Sequence, residues 1–355
     1  SVKLGQKDYK TAETILGNSV TLNIIIGVAF SVVCLLFLDP ILRFFGASDQ
    51  TITYARDYMV IILVGNVFSH MYFGMNAVLR AAGKPRHAMF ASIFTVVLNT
   101  VLDPIFIWPL NLGIQGAAYA TILAQMIALV WQFRIFCDSR ELLHLKRGIY
   151  QLRGYIVKNI IAIGISPFSM NVCACLVVIF INNQLVYYGG DMAVGAYGIA
   201  NRIAFIFVMF VMGVNQGMQP IAGYNYGAQQ IDRLMSVLRY AIVVATLIML
   251  SGWIVAEFLP YYSVRLFTKD ATLIGLSASG LRILMAAMPF VGSQMVITNF
   301  FQSIGKVKIS IFLSLSRQLL YLLPLLYVFP LFLGLNGVWY AMPVSDMLSF
   351  VVTVW

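Results

Sequence analysis

One acidic side chain in this sequence stands where a charge is costly. Asp103 lies near the end of an apolar run that reads TVVLNTVLDP over residues 95–104. Asn99 is one helical turn earlier on the same face, and Pro104 follows directly. A carboxylate among apolar side chains is costly when charged, so it could take up and release a proton near neutral pH. Because Pro104 leaves a backbone carbonyl without its donor, this group of oxygens could equally hold Na⁺. The alternative is that Asp103 only caps a kink beside Pro104.

Two further polar side chains are expected at a similar depth. At 1.5 Å per residue, Asp103 lies roughly 24 Å from the start of its helix, while Thr121 and Tyr58 lie about 12 Å and about 10 Å from the opposite face. Both could share a layer with the carboxylate, and either could instead make an ordinary interhelical hydrogen bond. The candidate ion-coupling or proton-coupling residues are therefore Asp103, Asn99 and Thr121, with Tyr58 and Pro104 as candidate cavity residues.

Arg317 and Asp346 form a second group of intramembrane charges. They lie on neighbouring predicted helices, at depths that agree within roughly 5 Å. Because opposite charges in hydrocarbon neutralise each other, we interpret them as a structural ion pair that fixes helix packing. Arg202 and Arg282 also lie within apolar segments, and the sequence offers no partner for either.

No combination of residues points to catalysis. The sequence has no Gly-rich phosphate loop, no HExxH and no Ser–His–Asp set, and its three histidines are far apart. Cys173 and Cys175 lie in an apolar segment, where a thiol behaves as a small hydrophobe. We therefore predict that the protein is not an enzyme, that it has no metal centre beyond a Na⁺ site at Asp103, and that its only cofactor is a coupling ion, H⁺ or Na⁺.

The elements that carry these residues are predicted to be transmembrane helices. Of the 355 residues, 61% are hydrophobic and 10% are charged, whereas a soluble domain is about 45–50% apolar and about 25% charged. The apolar stretches reach the roughly 20 residues that a spanning helix needs. We expect an all-α integral membrane bundle whose ten helices cover residues 14–38, 52–80, 87–108, 114–137, 157–187, 192–218, 236–258, 274–301, 308–331 and 337–355.

The distribution of positive charge predicts the orientation of these helices. The net charge is +10, and sixteen Lys and Arg residues, Arg147 among them, lie in loops on one side. The opposite side has only Arg43, Arg265 and Lys269. Such a bias places the first side in the cytoplasm, together with both termini. We therefore interpret the charge as a topology signal, and we expect no nucleic-acid partner.

An internal repeat divides the chain. The motifs around Gly5, Gly83 and Gly116 recur around Gly227, Gly305 and Gly337, at offsets of 222, 222 and 221 residues. A constant offset implies two structurally equivalent halves that begin on the same side, a parallel repeat typical of transporters.

The repeat also predicts the domain organisation. We expect an N-terminal lobe at 1–140, a cytoplasmic connecting loop at 141–156 and a C-terminal lobe at 157–355. The second lobe has two helices ahead of its Gly227 landmark that the first lobe lacks, so we expect two more helices before Ser1 and twelve in all.

Four motifs carry a resemblance to a known family: QGMQPIAGYNYGA at 216–228, LRAAGKP at 79–85, LDPIF at 102–106 and GLNGVW at 334–339. Together they resemble signatures of the multidrug and toxic compound extrusion (MATE) family, and the chain looks similar to its prokaryotic, DNA-damage-inducible-F-like branch. The resemblance covers essentially the whole chain. It implies two six-helix lobes around a V-shaped cavity that alternates access. It also implies export of cationic and amphipathic drugs in exchange for H⁺ or Na⁺.

The resemblance also implies roles for individual residues. In this branch the coupling site uses an Asn and an Asp on the fifth helix and a Thr on the sixth, which match Asn99, Asp103 and Thr121. An Asp on the family's first helix has no counterpart in this sequence. The Glu that other branches carry on the seventh helix is absent from the corresponding stretch 165–171.

We therefore predict a monomeric secondary active exporter of the bacterial plasma membrane. The alternative is a flippase for lipid-linked precursors from the same superfamily, which would need a more cationic cavity for a pyrophosphate head group. Whether Arg202, Arg282 and Arg317 line one cavity would discriminate between the two. A membrane-embedded enzyme or a channel is disfavoured by the missing catalytic set and by the repeat.

Overall fold

The computed structural model describes residues 1–45, 48–138, 140–146 and 148–354. Two residues used in the predictions lie outside the described residues: Arg147, which was counted among the positive charges of one side, and Trp355, which ends the last predicted helix. Every regular element in the described ranges is helical, which confirms the all-α prediction. The chain separates into two compact units between Ile160 and Ile161.

The first unit is built around α4, which packs against both α2 and α6, while α6 also packs against α5. The side chain of Asp8 accepts a hydrogen bond from the Thr11 amide, and this cap starts α2 at Tyr9, five residues before the predicted helix. The helices of this unit are α1 (Val2–Gly5), α2 (Tyr9–Leu36), α3 (Leu38–Phe44), α4 (Ile52–Ala81), α5 (Pro85–Ile107) and α6 (Gly113–Cys137).

The second unit contains most of α7 and all later helices. Its core surrounds Trp339, whose indole ring packs directly over Gly280, where any Cβ would lie 2.4 Å from the ring. The helices are α7 (Gly154–Gly227), α8 (Ile231–Phe258), α9 (Pro260–Arg265), α10 (Ala271–Met285), α11 (Met288–Ser303), α12 (Val307–Leu315), a π-helical segment (Ser316–Leu322), α13 (Leu323–Leu333) and α14 (Leu335–Val354).

The number of membrane-spanning segments agrees with the prediction. The helix α7 has 74 residues, or about 110 Å, which far exceeds the roughly 30 Å hydrocarbon core. It divides at Gly190, whose φ is 66°, and so provides two spans. The helices α10 and α11 are bent by 50° where the sequence predicted a single helix at 274–301, and we count this bent pair as one span. With these assignments, the part of the chain that the structure describes has ten spans.

Equivalent backbone turns confirm the internal repeat. Gly83 and Gly305 have φ values of 81° and 82°. The turn at Gly83 is closed by a bond from the Lys84 amide to the Leu79 carbonyl at 2.9 Å, and the turn at Gly305 is closed by the corresponding bond at 2.9 Å. Only a residue without Cβ adopts this φ readily, so both positions require glycine. The recurring motif therefore encodes the same helix-to-helix turn in each unit.

The segment that joins α6 to α7 is fastened to the first unit. The fully buried Asn18 of α2 donates from Nδ2 to the carbonyls of Ile149 and Gln151 at 3.2 and 3.0 Å, and its Oδ1 accepts from the Arg153 amide at 2.9 Å. Gly17 permits this contact, since a Cβ there would lie 2.3 Å from the Ile149 carbonyl oxygen. The helix α7 then begins at Gly154, three residues before the predicted start.

Candidate functional site

The helices α5 and α6 bring the three candidate coupling residues together. Asn99 Nδ2 donates to Asp103 Oδ1 at 3.1 Å and also lies 3.3 Å from Thr121 Oγ1. Asn99 and Asp103 share one face of α5 because they are four residues apart. All three side chains are half-buried. The structure thus places a carboxylate, an amide and a hydroxyl in one hydrogen-bonded group.

Thr121 is held in the orientation that accepts from Asn99. Its hydroxyl donates to the Ala117 carbonyl one turn earlier in α6, at 2.9 Å, which leaves the oxygen lone pairs for the amide. Gly116 lets the two helices approach, because a Cβ there would lie 2.8 Å from the backbone carbonyl of Phe106. A close crossing of α5 and α6 therefore fixes the geometry of the group.

Several oxygen atoms of this group remain available to a ligand. Within the described residues, the hydrogen bonds of Asp103 involve only one of its two carboxylate oxygens. Pro104 lies inside α5 and has no amide hydrogen, so the Thr100 carbonyl lacks its usual helical donor. Carboxylate, amide and carbonyl oxygens are the ligands that hard cations prefer, and the carboxylate alone can bind a proton.

The charge of Asp103 has no fixed counterion in the described part of the chain. No Lys or Arg nitrogen there lies within 4.0 Å of its carboxylate. A half-buried carboxylate without a partner is stable only if water, a proton or a mobile cation compensates its charge. The arrangement is therefore chemically suited to bind and release a cation.

The structure gives the other cavity candidate a weaker connection to this group. Tyr58 is half-buried on α4, and among the described residues it makes no hydrogen bond to Asn99, Asp103 or Thr121. A different contact joins α4 to α6, since Ser69 donates to Gln125 Oε1 one turn from Thr121. The sequence contains a signal for Gln125, namely its i,i+4 spacing from Thr121.

Arg317 and Asp346 meet in the second unit. Arg317 Nε donates to Asp346 Oδ1 at 2.7 Å, and the Asp346 side chain is only 10% exposed. Arg317 belongs to the π-helical segment, which the sequence did not predict. Three residues further along α14, Ser349 accepts a hydrogen bond from Gln294 of α11, so that α11, α14 and the π-helical segment share a polar contact region.

The remaining arginines of the apolar segments have different surroundings. Arg282 donates from a terminal nitrogen to the Glu257 carbonyl at 3.1 Å, and its Nε lies 4.0 Å from the Glu257 carboxylate. Glu257 is the partner that sequence reasoning missed. Arg202 is exposed on α7. Two of the three arginines on which the flippase alternative depends are therefore already engaged by acidic residues.

Comparison with known proteins points to one family. The family model described as MatE matches residues 1–105 and 167–328. The multidrug export protein MepA of Staphylococcus haemolyticus (strain JCSC1435) is 26% identical over 343 residues, which cover 97% of this chain and 75% of that protein. MepA of Staphylococcus aureus (strain N315) is 25% identical over 345 residues, which cover 97% of this chain and 76% of that protein.

Solved structures agree with this assignment. The outward-facing conformation of a multidrug resistance MATE family transporter of the MOP superfamily matches with a TM-score of 0.91 and 27% identity, over 99% of this chain and 79% of that one. A MOP superfamily transporter from Pyrococcus furiosus matches with a TM-score of 0.92 and 26% identity, over the same shares. The family membership predicted from the motifs is confirmed, and the chain belongs to the MatE family of membrane transporters.

Proposed function

We propose that this protein is a multidrug exporter of the bacterial plasma membrane that exchanges cationic or amphipathic compounds for H⁺ or Na⁺. Family membership and the relatives named as multidrug export proteins support the export of drugs. The observation that carries the coupling part of the proposal is the carboxylate of Asp103. In the described residues its hydrogen-bond partner is the neutral amide of Asn99, and no Lys or Arg nitrogen lies within 4.0 Å of it.

Asp103 would bind the coupling ion, and its two neighbours would set its geometry. If the ion is H⁺, the protonated carboxyl becomes neutral and the site no longer needs a compensating charge. If the ion is Na⁺, the oxygens of Asp103, Asn99 and Thr121, with the carbonyl of Thr100, offer a suitable set of hard ligands. Na⁺ binding requires Asn99 to adapt, since its amide nitrogen faces the carboxylate in this structure, whereas a proton on the other carboxylate oxygen leaves that hydrogen bond in place.

Pro104 offers a way to convert ion binding into movement. It interrupts the hydrogen-bond ladder of α5 directly after Asp103, and helices bend most easily at such a position. A change in the charge of Asp103 would therefore change the bend of α5. This supports an alternating-access cycle in which the ion-bound and drug-bound states differ in helix shape.

The observations favour the exporter over the flippase for lipid-linked precursors. The flippase would need a cavity lined by unpaired Arg202, Arg282 and Arg317, yet Arg317 is bound to Asp346 and Arg282 contacts Glu257. The predicted cytoplasmic location of both termini and the monomeric state belong to the same proposal. The first follows from the bias of Lys and Arg between the two sides.

Transport measurements on reconstituted protein test the proposal. Ethidium movement is recorded in proteoliposomes under a pH gradient alone and then under a Na⁺ gradient alone. We expect one of the two gradients to drive movement, and we expect D103N to lower the gradient-driven rate at least about tenfold, which corresponds to about 1.4 kcal/mol. D232N, which removes an exposed acid at the start of α8, is the matched control and should retain the wild-type rate.

Two results would contradict the proposal. If D103N transports ethidium as the wild type does, the carboxylate is not the coupling group. If neither gradient drives transport by the wild-type protein, the antiport mechanism is wrong.

A further inference from the structure

A cavity lies at the connection between α8 and α10, in the second unit. It has a volume of about 570 Å³, and its polar lining comes from Tyr261, Arg265, Thr268 and Lys269. Ile274 and other small or apolar residues of the first turns of α10 form the rest of the wall. We call this cavity the α9–α10 pocket. It lies well away in sequence from the coupling residues and belongs to neither the proposed ion site nor the Arg317–Asp346 pair.

The two cations of the α9–α10 pocket have no acidic partner in the described residues. Neither Arg265 nor Lys269 has a carboxylate oxygen within 4.0 Å. The adjacent Asp270 instead caps α10, where its Oδ1 accepts from the amides of Thr272 and Leu273 at 2.8 and 3.1 Å. The pocket therefore holds two positive charges that nothing in its own lining neutralises.

A third cation assigned by sequence to the same side of the membrane provides a contrast. Arg43 follows the first span of the other unit, and its side chain lies 2.9 Å from the Asp49 carboxylate. Glu257, the acid nearest in sequence to the α9–α10 pocket on α8, lies against Arg282. The unpaired state of Arg265 and Lys269 is therefore particular to the pocket and not a general feature of cations at these helix ends.

The surroundings of the pocket indicate its depth in the bilayer. The helix α8 ends at Phe258 and α10 begins at Ala271, so the pocket lies where two spans leave the hydrocarbon. Large apolar side chains beside it are strongly exposed, with Phe258 at 70%, Tyr262 at 69% and Leu266 at 84%. Exposed aromatic and aliphatic residues next to Arg and Lys are typical of the level of the lipid head groups.

We propose that the α9–α10 pocket binds the phosphate of an anionic phospholipid, with Arg265 and Lys269 as the charged ligands and the hydroxyls of Tyr261 and Thr268 as additional donors. Guanidinium and ammonium groups are the usual partners of phosphate oxygens in proteins. The exposed Phe258 and Leu266 would contact the acyl chains of the same lipid. A net negative head group is required, because the pocket presents two cations to a single ligand.

Native mass spectrometry of the purified protein in detergent tests this assignment. Phosphatidylglycerol is titrated against the wild type and against the R265Q/K269Q double variant, with phosphatidylcholine as the zwitterionic comparison. We expect one retained phosphatidylglycerol per wild-type protein. The double variant should bind the lipid with an affinity about 30-fold lower, since each cation near a lipid surface raises the affinity roughly fivefold. Phosphatidylcholine should bind more weakly than phosphatidylglycerol to the wild type.

Two control variants keep the result interpretable. R265K/K269R preserves both charges and should retain the lipid, which separates the loss of charge from misfolding. R43Q removes a cation that is already paired and should leave lipid retention unchanged. The assignment would be overturned by equal retention in the double variant and the wild type, or by equal binding of the two lipids. Displacement of the lipid by millimolar inorganic phosphate would show a site for free anions instead.

Discussion

Two acids of the apolar helices are neutralised in different ways. Asp346 in α14 accepts a hydrogen bond from Arg317 at 2.7 Å and is almost fully buried. Asp103 in α5 has only the neutral amide of Asn99 beside it, with no cation within the described residues. Because Asp346 has a fixed partner, its charge is neutralised within the folded protein. The charge of Asp103 must instead be compensated by water, a proton or a mobile cation, each of which can dissociate. The contrast separates an acid that supports packing from one that is suited to ion exchange.

The helix α5 and its repeat equivalent in the second unit have different backbone irregularities. The repeat offset of 222 residues relates Asn99 to Tyr321, which lies in the π-helical segment Ser316–Leu322. In α5 the irregularity is Pro104, which removes one donor, while in the second unit it is a wider helical turn that includes Arg317. Both are known ways to bend a helix. Corresponding helices of the repeat are thus irregular in both units, by different means and at different positions along the helix.

The largest expected effect comes from breaking the Arg317–Asp346 ion pair. D346A leaves the arginine charge uncompensated among apolar helices, which should lower the free energy of unfolding by about 3–5 kcal/mol. Replacing both partners by apolar residues, as in R317M/D346L, should restore most of that loss, because no unpaired charge remains. Thermal unfolding followed with a thiol-reactive dye measures this, since the free thiols of Cys34 and Cys173 are half-buried in the folded protein and become accessible on unfolding.

A transport measurement shows whether the pair contributes to transport as well as to packing. If it does, R317M/D346L would regain its melting temperature and still fail to move ethidium. An unchanged melting temperature in D346A would show that the pair does not stabilise the fold at all.

A second prediction concerns the close backbone contacts that recur in both units. A Cβ at Gly337 would lie 2.5 Å from the Phe329 carbonyl, and one at Gly116 would lie 2.8 Å from the Phe106 carbonyl. Backbone atoms cannot move aside easily, so G337A should destabilise the protein by about 1–3 kcal/mol, and G116A by less. The control is G213A in α7, where no neighbouring atom lies within 4 Å. A reversed order of the first two variants would contradict the geometry.

The third prediction returns to Asp103. Because no cation pairs with it in the described residues, D103N should change the unfolding free energy by no more than about 1 kcal/mol, while it lowers ion-driven transport at least about tenfold. The same dye assay gives the first quantity and the proteoliposome assay the second. A stability loss as large as that of D346A would mean that Asp103 is also a structural acid, and the contrast between the two acids would then fail.

Much of this arrangement followed from spacing alone. Asn99 and Asp103 are four residues apart on one helix. Depths in the bilayer calculated from the helical rise placed Thr121 beside them and Arg317 beside Asp346. These inferences worked because an α-helix has a fixed rise and a fixed turn, so that residue number converts into depth and into the face of the helix. The ten spans and the repeat were predictable for the same reason.

What the sequence did not indicate depends on contacts distant along the chain or on local departures from the regular helix. Glu257 meets Arg282 only because α8 and α10 pack together, across 25 residues. The π-helical segment has no proline or glycine of its own to mark it. The anchoring of the connecting segment by Asn18 relies on backbone carbonyls more than 130 residues away, which no residue pattern reveals.

The smallest expected effect concerns a side-chain helix cap that the first unit has and the equivalent position of the second unit lacks. Asp8 and Gln230 hold equivalent N-cap positions with nearly the same backbone angles, but only Asp8 caps its helix through its side chain. Q230D should therefore create the missing cap and stabilise the protein at pH 7 by a few tenths to about 1 kcal/mol.

The pH dependence of this gain has a defined sign. Hydrogen bonds from Thr11, and then the charge of Lys3, hold the pKa of the Asp8 carboxyl below its usual value. A carboxyl whose pKa is lowered by folding stabilises the protein above its unfolded pKa, and this contribution is lost as the pH falls through the folded value. The gain in Q230D should therefore disappear below about pH 4. The neutral cap in Q230N should give a gain without that loss, so identical pH profiles of the two variants in the dye assay would show that the new carboxylate does not act as Asp8 does.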